Sequence, residues 1–284
     1  MATASVKVRT KKRLGQHFLV DRRALRRIVQ AAELGPEDLV VEIGPGTGNL
    51  TRELASVAGE VLAIERDEAL VHLLQTRWAT DPKLKILQGD ARTMDLWPHL
   101  PPGRPYKVVA NLPYYAAIPI VRRFLEAPHK PVRMVLTVQR EVVQAMAASA
   151  GRMRLLSVMV QLYSTPRLIA FLPPRAFRPP PKVTSAVVVL DFLPSLRLPL
   201  PPDEVEPFLQ LVKAGFRAPR KQLRNALAHG LGLLPLEGEA LLRAAGVDPK
   251  RRAETLSLEE WHRLYQLYRS PALSSSSSPA LIAP

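Results

Sequence analysis

Short apolar runs alternate with amphipathic stretches along the chain from about residue 38. Five of these runs are rich in Val, Ile and Leu, which is typical of buried strands. They span 38–44, 60–66, 84–90, 106–112 and 132–138. Helical periodicity follows four of them, with predicted helices at 50–57, 119–126 and 139–149 and a further helical stretch after residue 66. Strands separated by helices predict a parallel, doubly wound sheet.

Two more apolar runs, 168–172 and 186–192, are separated by a proline-rich segment and no helix. They are close enough in sequence to pair antiparallel at one edge of the sheet. The predicted fold class is therefore α/β, with a doubly wound, mostly parallel seven-stranded sheet.

The C-terminal third of the chain shows only helical periodicity. The proline-rich stretch 193–204 interrupts regular structure and is typical of a linker. Helices are predicted at 204–216, 220–229, 236–245 and 257–268, and the serine-rich end is of low complexity. These patterns predict a domain over 1–195, a small all-helical domain over 203–269 and a disordered tail over 270–284.

The net charge of +15 is concentrated in two segments. Residues 1–30, which include Lys11, Lys12 and Arg13, carry +8, and residues 122–182 carry +9. Such clustering favours a polyanionic partner, most simply a nucleic acid. A generally basic surface is the alternative.

The composition of the chain bears on metal sites, disulfides, membrane insertion and secretion. The chain has no cysteine, so thiolate metal sites and disulfides are excluded, and no metal is predicted. It has no uninterrupted apolar stretch of transmembrane length and no secretory signal. We therefore expect a cytoplasmic protein that does not use a membrane.

A glycine-rich turn follows the first predicted strand. Gly44, Gly46 and Gly48 separate that strand from a helix, where glycine lets the backbone approach a ligand closely. Glu65 ends the next strand, at a spacing typical of a carboxylate that accepts hydrogen bonds from a ribose. Asp90 ends the third strand, where a carboxylate can hold the amino group of an adenine. An ordinary strand–helix turn is the alternative explanation of the glycines.

S-adenosylmethionine fits this pattern better than a dinucleotide. Position 49 is Asn where the dinucleotide fingerprint has its third glycine. Glu42 precedes the turn, and its charge would repel a pyrophosphate but suits a cationic cofactor.

The sequence Asn111-Leu112-Pro113-Tyr114 ends the fourth predicted strand. The Asn111 side-chain oxygen and a backbone carbonyl near Leu112 can accept from the two N–H groups of an adenine amine, which localises its lone pair. Pro113 fixes φ and can hold that carbonyl inward. Tyr114 offers a flat face for the base. A strand-terminating turn with a packed tyrosine is the alternative.

Phe177 is a second candidate for stacking, because proline-rich sequence surrounds it, although a core position explains it as well.

In the helical region, Arg220, Lys221 and Arg224 are spaced so that Arg220 and Arg224 share a predicted helix face. We interpret these three as RNA-binding residues, and a solvated charged face is the alternative.

Taken together, these motifs resemble the KsgA/RsmA ribosomal RNA adenine dimethyltransferases, a group similar to the Erm methylases. The resemblance extends from about residue 11 to residue 267, through "KRLGQHFLVD", "EIGPGTGNLT", "IERD", "GDA", "NLPYY", "PPRAFRPPPKVTSAVV" and "FRAPRKQLRNAL". It implies a cofactor site formed by His17, Leu19, Gly44, Glu65, Asp90 and Asn111. It also implies an adenine site formed by Asn111, Leu112, Tyr114 and Phe177. Two positions depart from the family pattern, His17 and Pro219.

What the resemblance implies about function is dimethylation at N6 of two adjacent adenosines near the 3′ end of small-subunit ribosomal RNA. The implied setting is a pre-ribosomal particle, with a role in subunit assembly, and a monomer is expected. Two alternatives are an Erm-type enzyme that acts on large-subunit RNA and a non-catalytic RNA-binding factor.

Overall fold

The computed structural model describes residues 16–270; Lys11, Lys12, Arg13 and most of the predicted tail, 271–284, lie outside this range. The strands are β1 Phe18–Leu19, β2 Leu39–Ile43, β3 Glu60–Glu65, β4 Leu84–Gln88, β5 Tyr106–Asn111, β6 Arg133–Gln139, β7 Ser164–Leu172, β8 Phe177–Arg178 and β9 Ser185–Phe192. The α-helices are α1 Arg22–Ala32, α2 Asn49–Ala55, α3 Glu68–Arg77, α4 Ala117–Leu125, α5 Arg140–Met146, α6 Leu155–Tyr163, α7 Val205–Phe216, α8 Leu223–Leu231, α9 Pro235–Ala244 and α10 Leu258–Tyr268.

Seven strands form one sheet in the order β4-β3-β2-β5-β6-β9-β7. The pairs among β4, β3, β2, β5 and β6 are parallel, whereas β9 pairs antiparallel with both β6 and β7. The predicted seven-stranded, mostly parallel α/β sheet with an antiparallel edge is therefore confirmed. Because β2, β3 and β5 run in the same direction, Ile43, Glu65 and Asn111 finish at the same edge of the sheet.

A two-stranded sheet and a helix that the sequence patterns did not predict complete the N-terminal region. β1 pairs antiparallel with β8, which places Leu19 opposite Phe177. The helix α1 begins after Asp21, whose carboxylate accepts from the backbone N–H groups of Arg23 and Ala24. The apolar face of α1 packs into the core that flanks the sheet, with Ile28 fully buried. Arginines lie between these apolar positions, and for this reason the helical periodicity of the apolar residues was not recognised in the sequence.

The described chain divides into two compact units. The first comprises the chain up to Gln144 together with Ser164–Pro194, and the second comprises Ala145–Tyr163 and the chain from Ser195 onward. No helix was predicted at α6, and its residues fall in the predicted first domain. In the structure α6 groups with α7–α10. Inside this unit Trp261 is fully buried, and the rings of Phe208 and Tyr265 meet edge to face at 5.7 Å.

The predicted helix over 220–229 begins later than expected. α8 starts at Leu223, after an extended residue, Gln222, and Lys221 N–H donates to the carbonyl of Ala218 in a turn. Arg220 and Lys221 therefore precede the helix, and the shared helix face predicted for Arg220 and Arg224 is wrong. Proline at 219 shapes the turn, because its ring fixes φ and removes a backbone donor.

None of the helices within residues 16–270 is both long enough and apolar enough to cross a membrane.

Candidate active site

A cavity in the first unit opens where β2, β3 and β5 end. It brings together most of the residues that the sequence analysis selected, from five separate segments of the chain. Its lining is Gln16, His17, Phe18, Gly44, Gly46, Glu65, Arg66, Asn111, Leu112, Pro113, Tyr114, Tyr115 and Phe177.

The glycine-rich turn is shaped by positive φ and by aromatic neighbours. Gly46 has φ +58°, and a Cβ there would lie 2.8 Å from the ring of Phe18. Gly48 has φ +80°, and a Cβ there would lie 2.3 Å from the ring of Trp78. Only glycine satisfies both the backbone conformation and the close packing at these two positions.

The Glu65 carboxylate is buried and accepts three backbone hydrogen bonds. The donors are the N–H groups of Gly46 at 3.1 Å, Arg66 at 2.8 Å and Asp67 at 2.9 Å. Burial raises the pKa of Glu65, although these hydrogen bonds oppose the rise. The carboxylate thus joins the glycine-rich turn to the end of β3 and faces the cavity.

Glu42 is the most unusual ionisable group near the site. Its side chain is 1% exposed, and neither carboxylate oxygen has a hydrogen-bond partner among the described residues. Burial raises the pKa of Glu42 to about 8; the Thr51 side chain opposes this rise, and the charge of Glu65 adds to it. Glu42 lines a second, smaller cavity that shares Phe18, Gly44 and Asn111 with the first. A buried carboxyl group without partners suits a cationic ligand.

Asn111 is oriented by the N-terminal segment. Its Nδ2 donates to the carbonyl of His17 at 3.0 Å. Because a carbonyl can only accept, this hydrogen bond fixes which way the amide points and leaves Oδ1 as an acceptor for another donor. His17 is itself held, since its Nδ1 lies 2.8 Å from the carbonyl of Pro179 and must donate to it.

Tyr114 and Phe177 both border the cavity, but in different surroundings. The ring of Tyr114 stacks on the ring of His17, with centroids 5.7 Å apart, and its hydroxyl bonds to Ser185 Oγ at 2.7 Å. Burial raises the pKa of Tyr114, so this hydroxyl stays neutral at physiological pH. Phe177 is 1% exposed and belongs to the hydrophobic core, so its position matches the core alternative at least as well as stacking.

Two predicted cofactor residues lie outside the main cavity lining. Leu19 borders the second cavity, where its carbonyl accepts from Asn49 Nδ2 at 2.9 Å. Asn49, at the position of a missing glycine, therefore anchors β1. Asp90 is absent from the described lining of both cavities, and its carboxylate accepts from the guanidinium of Arg92. This contact lowers the pKa of Asp90 to about 2.

Four residues of the cavity were not selected from the sequence: Gln16, Phe18, Arg66 and Tyr115. Each is a direct neighbour of a selected residue or motif, which is the signal that could have found them. Tyr115 is half exposed and lies under the guanidinium of Arg92, 5.4 Å from its ring centroid.

Comparisons with known proteins support one family. A model of the family described as "Ribosomal RNA adenine dimethylase" matches residues 7–270. A protein named "Ribosomal RNA small subunit methyltransferase A" from Dehalococcoides mccartyi is 44% identical over 92% of this chain and 89% of its own length. A protein of the same name from Syntrophotalea carbinolica is also 44% identical, over 91% of this chain and 97% of its own.

Solved structures show the same fold. The 23S ribosomal RNA methyltransferase ErmE is 29% identical, with a TM-score of 0.69 over 89% of this chain and all of that one. A dimethyladenosine transferase from Plasmodium falciparum is 22% identical, with a TM-score of 0.71 over 87% of this chain and 96% of that one.

Proposed function

Because the chain belongs to the ribosomal RNA adenine dimethylase family, we propose that it dimethylates N6 of two adjacent adenosines in small-subunit ribosomal RNA. The methyl donor of this family is S-adenosylmethionine, and the substrate in the cell is proposed to be a pre-ribosomal particle in the cytoplasm, bound by a monomer of the enzyme.

The residues at the ends of β2 and β3 fit the cofactor. Bound S-adenosylmethionine supplies a methyl group activated on a positively charged sulfur. Glu42 provides a buried carboxyl group without a hydrogen-bond partner among the described residues, and its ionised form would suit the positive charge of this molecule. Glu65 would accept hydrogen bonds from the ribose, and the glycine-rich turn would allow close backbone approach. Gly44, Gly46, His17, Leu19 and, beside Arg92, Asp90 complete the proposed cofactor site.

The orientation of Asn111 is the single observation that carries the proposed chemistry. With Nδ2 committed to the carbonyl of His17, Oδ1 is the atom available to accept from the amine of the target adenine. Accepting from an exocyclic N–H localises the lone pair of that nitrogen for attack on the methyl group. A backbone carbonyl near Leu112, held by Pro113, is proposed to accept from the second N–H.

No strong base is needed, because the proton leaves the nitrogen after the methyl group has been transferred. The neutral hydroxyl of Tyr114, bonded to Ser185, is therefore assigned no part in proton transfer. One face of the Tyr114 ring stacks on His17, and we propose that the other face stacks on the target base. Phe177 is proposed to limit the base pocket from the side of the core.

Small-subunit RNA is favoured over large-subunit RNA by the degree of identity. The relatives named for the small subunit are 44% identical, whereas ErmE, named for 23S RNA, is 29% identical. Binding without catalysis is disfavoured because Glu42, Glu65 and Asn111 are arranged around one site and a purely binding protein would not need them. Lys11, Lys12, Arg13, Arg220 and Lys221 are proposed to attract RNA through their charge.

The decisive experiment supplies purified small and large subunits that lack the modification, together with S-adenosylmethionine carrying a labelled methyl group. We expect label in small subunits only, at two adjacent adenosines near the 3′ end, mapped by primer extension. Label in large subunits would assign the Erm-type function, and binding of RNA without label in either would assign a non-catalytic role.

A further inference from the structure

A separate cleft lies entirely within the second unit. It has a volume of about 920 Å³ and is formed by one face of α7 and by the segment that leads into α6. α7 contributes Gln210 and Lys213, and Arg217 directly follows its last residue. The spacings of three and four residues place these three on one side of the helix. The segment before α6 contributes Met153 and Arg154.

The segment before α6 is held in place by backbone hydrogen bonds. The carbonyl of Glu254 accepts from the N–H groups of Gly151 at 2.9 Å and Met153 at 3.1 Å. Glu254 also lines the cleft and contributes one carboxylate to it. The wall that carries Arg154 is therefore a fixed part of this unit.

Arg154, Lys213 and Arg217 are exposed, and none of them has a carboxylate within ion-pair distance in the described part of the chain. Other arginines of the same unit are paired, for example Arg224 with Glu239 at 2.8 Å and Arg251 with Glu260 at 2.5 Å. The cleft therefore concentrates three unpaired cations against a single carboxylate.

The lining between these cations is apolar. Phe216 is partly exposed there, and its ring is supported by Trp261, with ring centroids 5.7 Å apart. Ala214 and Gly230 also line the cleft and carry no bulky side chain. They pack closely together, since a Cβ on Gly230 would lie 2.6 Å from the Cβ of Ala214. A flat ring beside a small-residue surface is a suitable platform for a nucleobase.

We propose that this cleft binds an unpaired nucleotide of the RNA substrate, with its base against Phe216 and its flanking phosphates between Arg154, Lys213 and Arg217. An acidic peptide would satisfy the cations but would leave the apolar surface exposed, so RNA is favoured. The proposal takes RNA as the ligand class from the proposed function, but it concerns a site that performs no chemistry.

The test compares Arg154→Gln combined with Arg217→Gln against Lys83→Gln combined with Lys85→Gln. The control pair removes the same charge from exposed positions of the first unit. Binding of a short single-stranded oligoribonucleotide is measured over a range of salt concentrations. Two lost phosphate contacts should reduce the slope of log K against log salt by about 1.4, while the control keeps the wild-type slope.

Competition identifies the ligand. Polyglutamate and inorganic polyphosphate of equal charge should displace the oligoribonucleotide less well than unlabelled RNA does, because neither has a base. An unchanged slope in the cleft variant, or equal competition by polyglutamate or polyphosphate, would overturn the proposal.

Labelling of subunits by the wild-type enzyme is measured separately. A reduced salt slope in the cleft variant, together with no methyl transfer by the wild-type enzyme, would support the cleft and reject the proposed function. An unchanged salt slope together with methyl transfer would reject the cleft and support the proposed function.

Discussion

At the scale of single residues, Asn111 connects the N-terminal segment to the chemistry. Asn111→Ala removes the acceptor Oδ1 and the hydrogen bond to His17. We expect the rate of methyl transfer to fall by a factor of ~100–1000, which is typical for loss of one preorganised polar contact. Single-turnover kinetics at saturating labelled cofactor measure the effect independently of any change in cofactor affinity, and the thermal midpoint serves as the control. Near wild-type turnover would remove Asn111 from the mechanism.

Tyr114 is expected to act through its ring. Tyr114→Phe keeps the ring but leaves the buried Ser185 hydroxyl without its partner, which should lower the free energy of unfolding by about 1–3 kcal/mol. Adding Ser185→Ala should recover part of this loss. RNA affinity and turnover should change little in either variant, whereas Tyr114→Ala should weaken base binding by about 1–3 kcal/mol. If Tyr114→Phe were as inactive as Tyr114→Ala, the hydroxyl would have a chemical role.

The raised pKa of Glu42 has a consequence for pH dependence. Its pKa is about 8 in the folded protein against 4.5 for an unperturbed glutamate, so the folded state favours the protonated form. The contribution of Glu42 to stability should therefore fall as pH rises above about 4.5 and continue to fall until about 8. Glu42→Gln should flatten this part of the curve, as measured by denaturant unfolding at several pH values.

The same group should couple cofactor binding to proton release. A cationic ligand favours the ionised carboxylate, so binding at neutral pH should release up to one proton, and affinity should rise as pH approaches 8. Calorimetry in buffers with different ionisation enthalpies detects the proton. Release that persists in Glu42→Gln would assign it to another group.

At the scale of elements, two glycines of the turn between β2 and α2 are required for different reasons. Gly48 is required by its backbone conformation and by close packing, whereas Gly44 is required by its backbone conformation alone. Gly48→Ala introduces an L residue at φ +80° and a clash with Trp78, whereas Gly44→Ala introduces only the φ strain, since its nearest neighbour would lie at 3.8 Å. The strain costs about 1–2 kcal/mol. We therefore expect Gly48→Ala to lower the free energy of unfolding by clearly more than Gly44→Ala.

A second substitution separates the two causes. Trp78→Ala in the Gly48→Ala background should remove the clash but not the strain. The measured quantity is the non-additivity of the two substitutions in urea unfolding. Strict additivity would show that the Trp78 ring does not restrict this turn.

At the scale of the whole molecule, the basic residues selected for RNA binding fall into two kinds. Arg220 and Lys221 are exposed in the turn before α8, whereas Arg224 is half-buried and paired with Glu239. Arg220→Glu with Lys221→Glu should strongly reduce methylation of small subunits and leave the thermal midpoint and cofactor affinity unchanged.

Arg224→Glu should act mainly on stability. It replaces an attraction with a repulsion from Glu239, and we expect a small loss of folding free energy, because both side chains are partly exposed to solvent. The exchange variant Arg224→Glu with Glu239→Arg should restore only part of it, because an arginine at position 239 would lie beside Arg243, which pairs with Glu239 at 2.7 Å. A loss of methylation in the exchange variant, beyond what its remaining loss of stability explains, would return Arg224 to the RNA-binding group.

The sequence by itself determined the sheet, the C-terminal helices and most of the residues that line the cavity. Hydrophobic periodicity is a local property, so each strand from β2 to β6 could be located within a residue or two. In a parallel sheet the carboxyl ends of neighbouring strands meet, so Glu65 and Asn111 could be placed together before any contact was known. Stacking of the base on Tyr114 remains a proposal, and Phe177 lies in the core.

Tertiary structure alone decided the features that depend on long-range pairing. The pairing of β1 with β8 joins residues about 160 positions apart, and through it the carbonyl of His17 orients Asn111. The helix α1 was not predicted because arginines are interspersed among its apolar residues. Which of its residues form the buried face is known only from the core on which they pack. The partners of Asp90 and Arg224, and the absence of hydrogen-bond partners around Glu42 among the described residues, depend on which side chains the fold brings within a few ångströms, and local sequence patterns do not encode such distances.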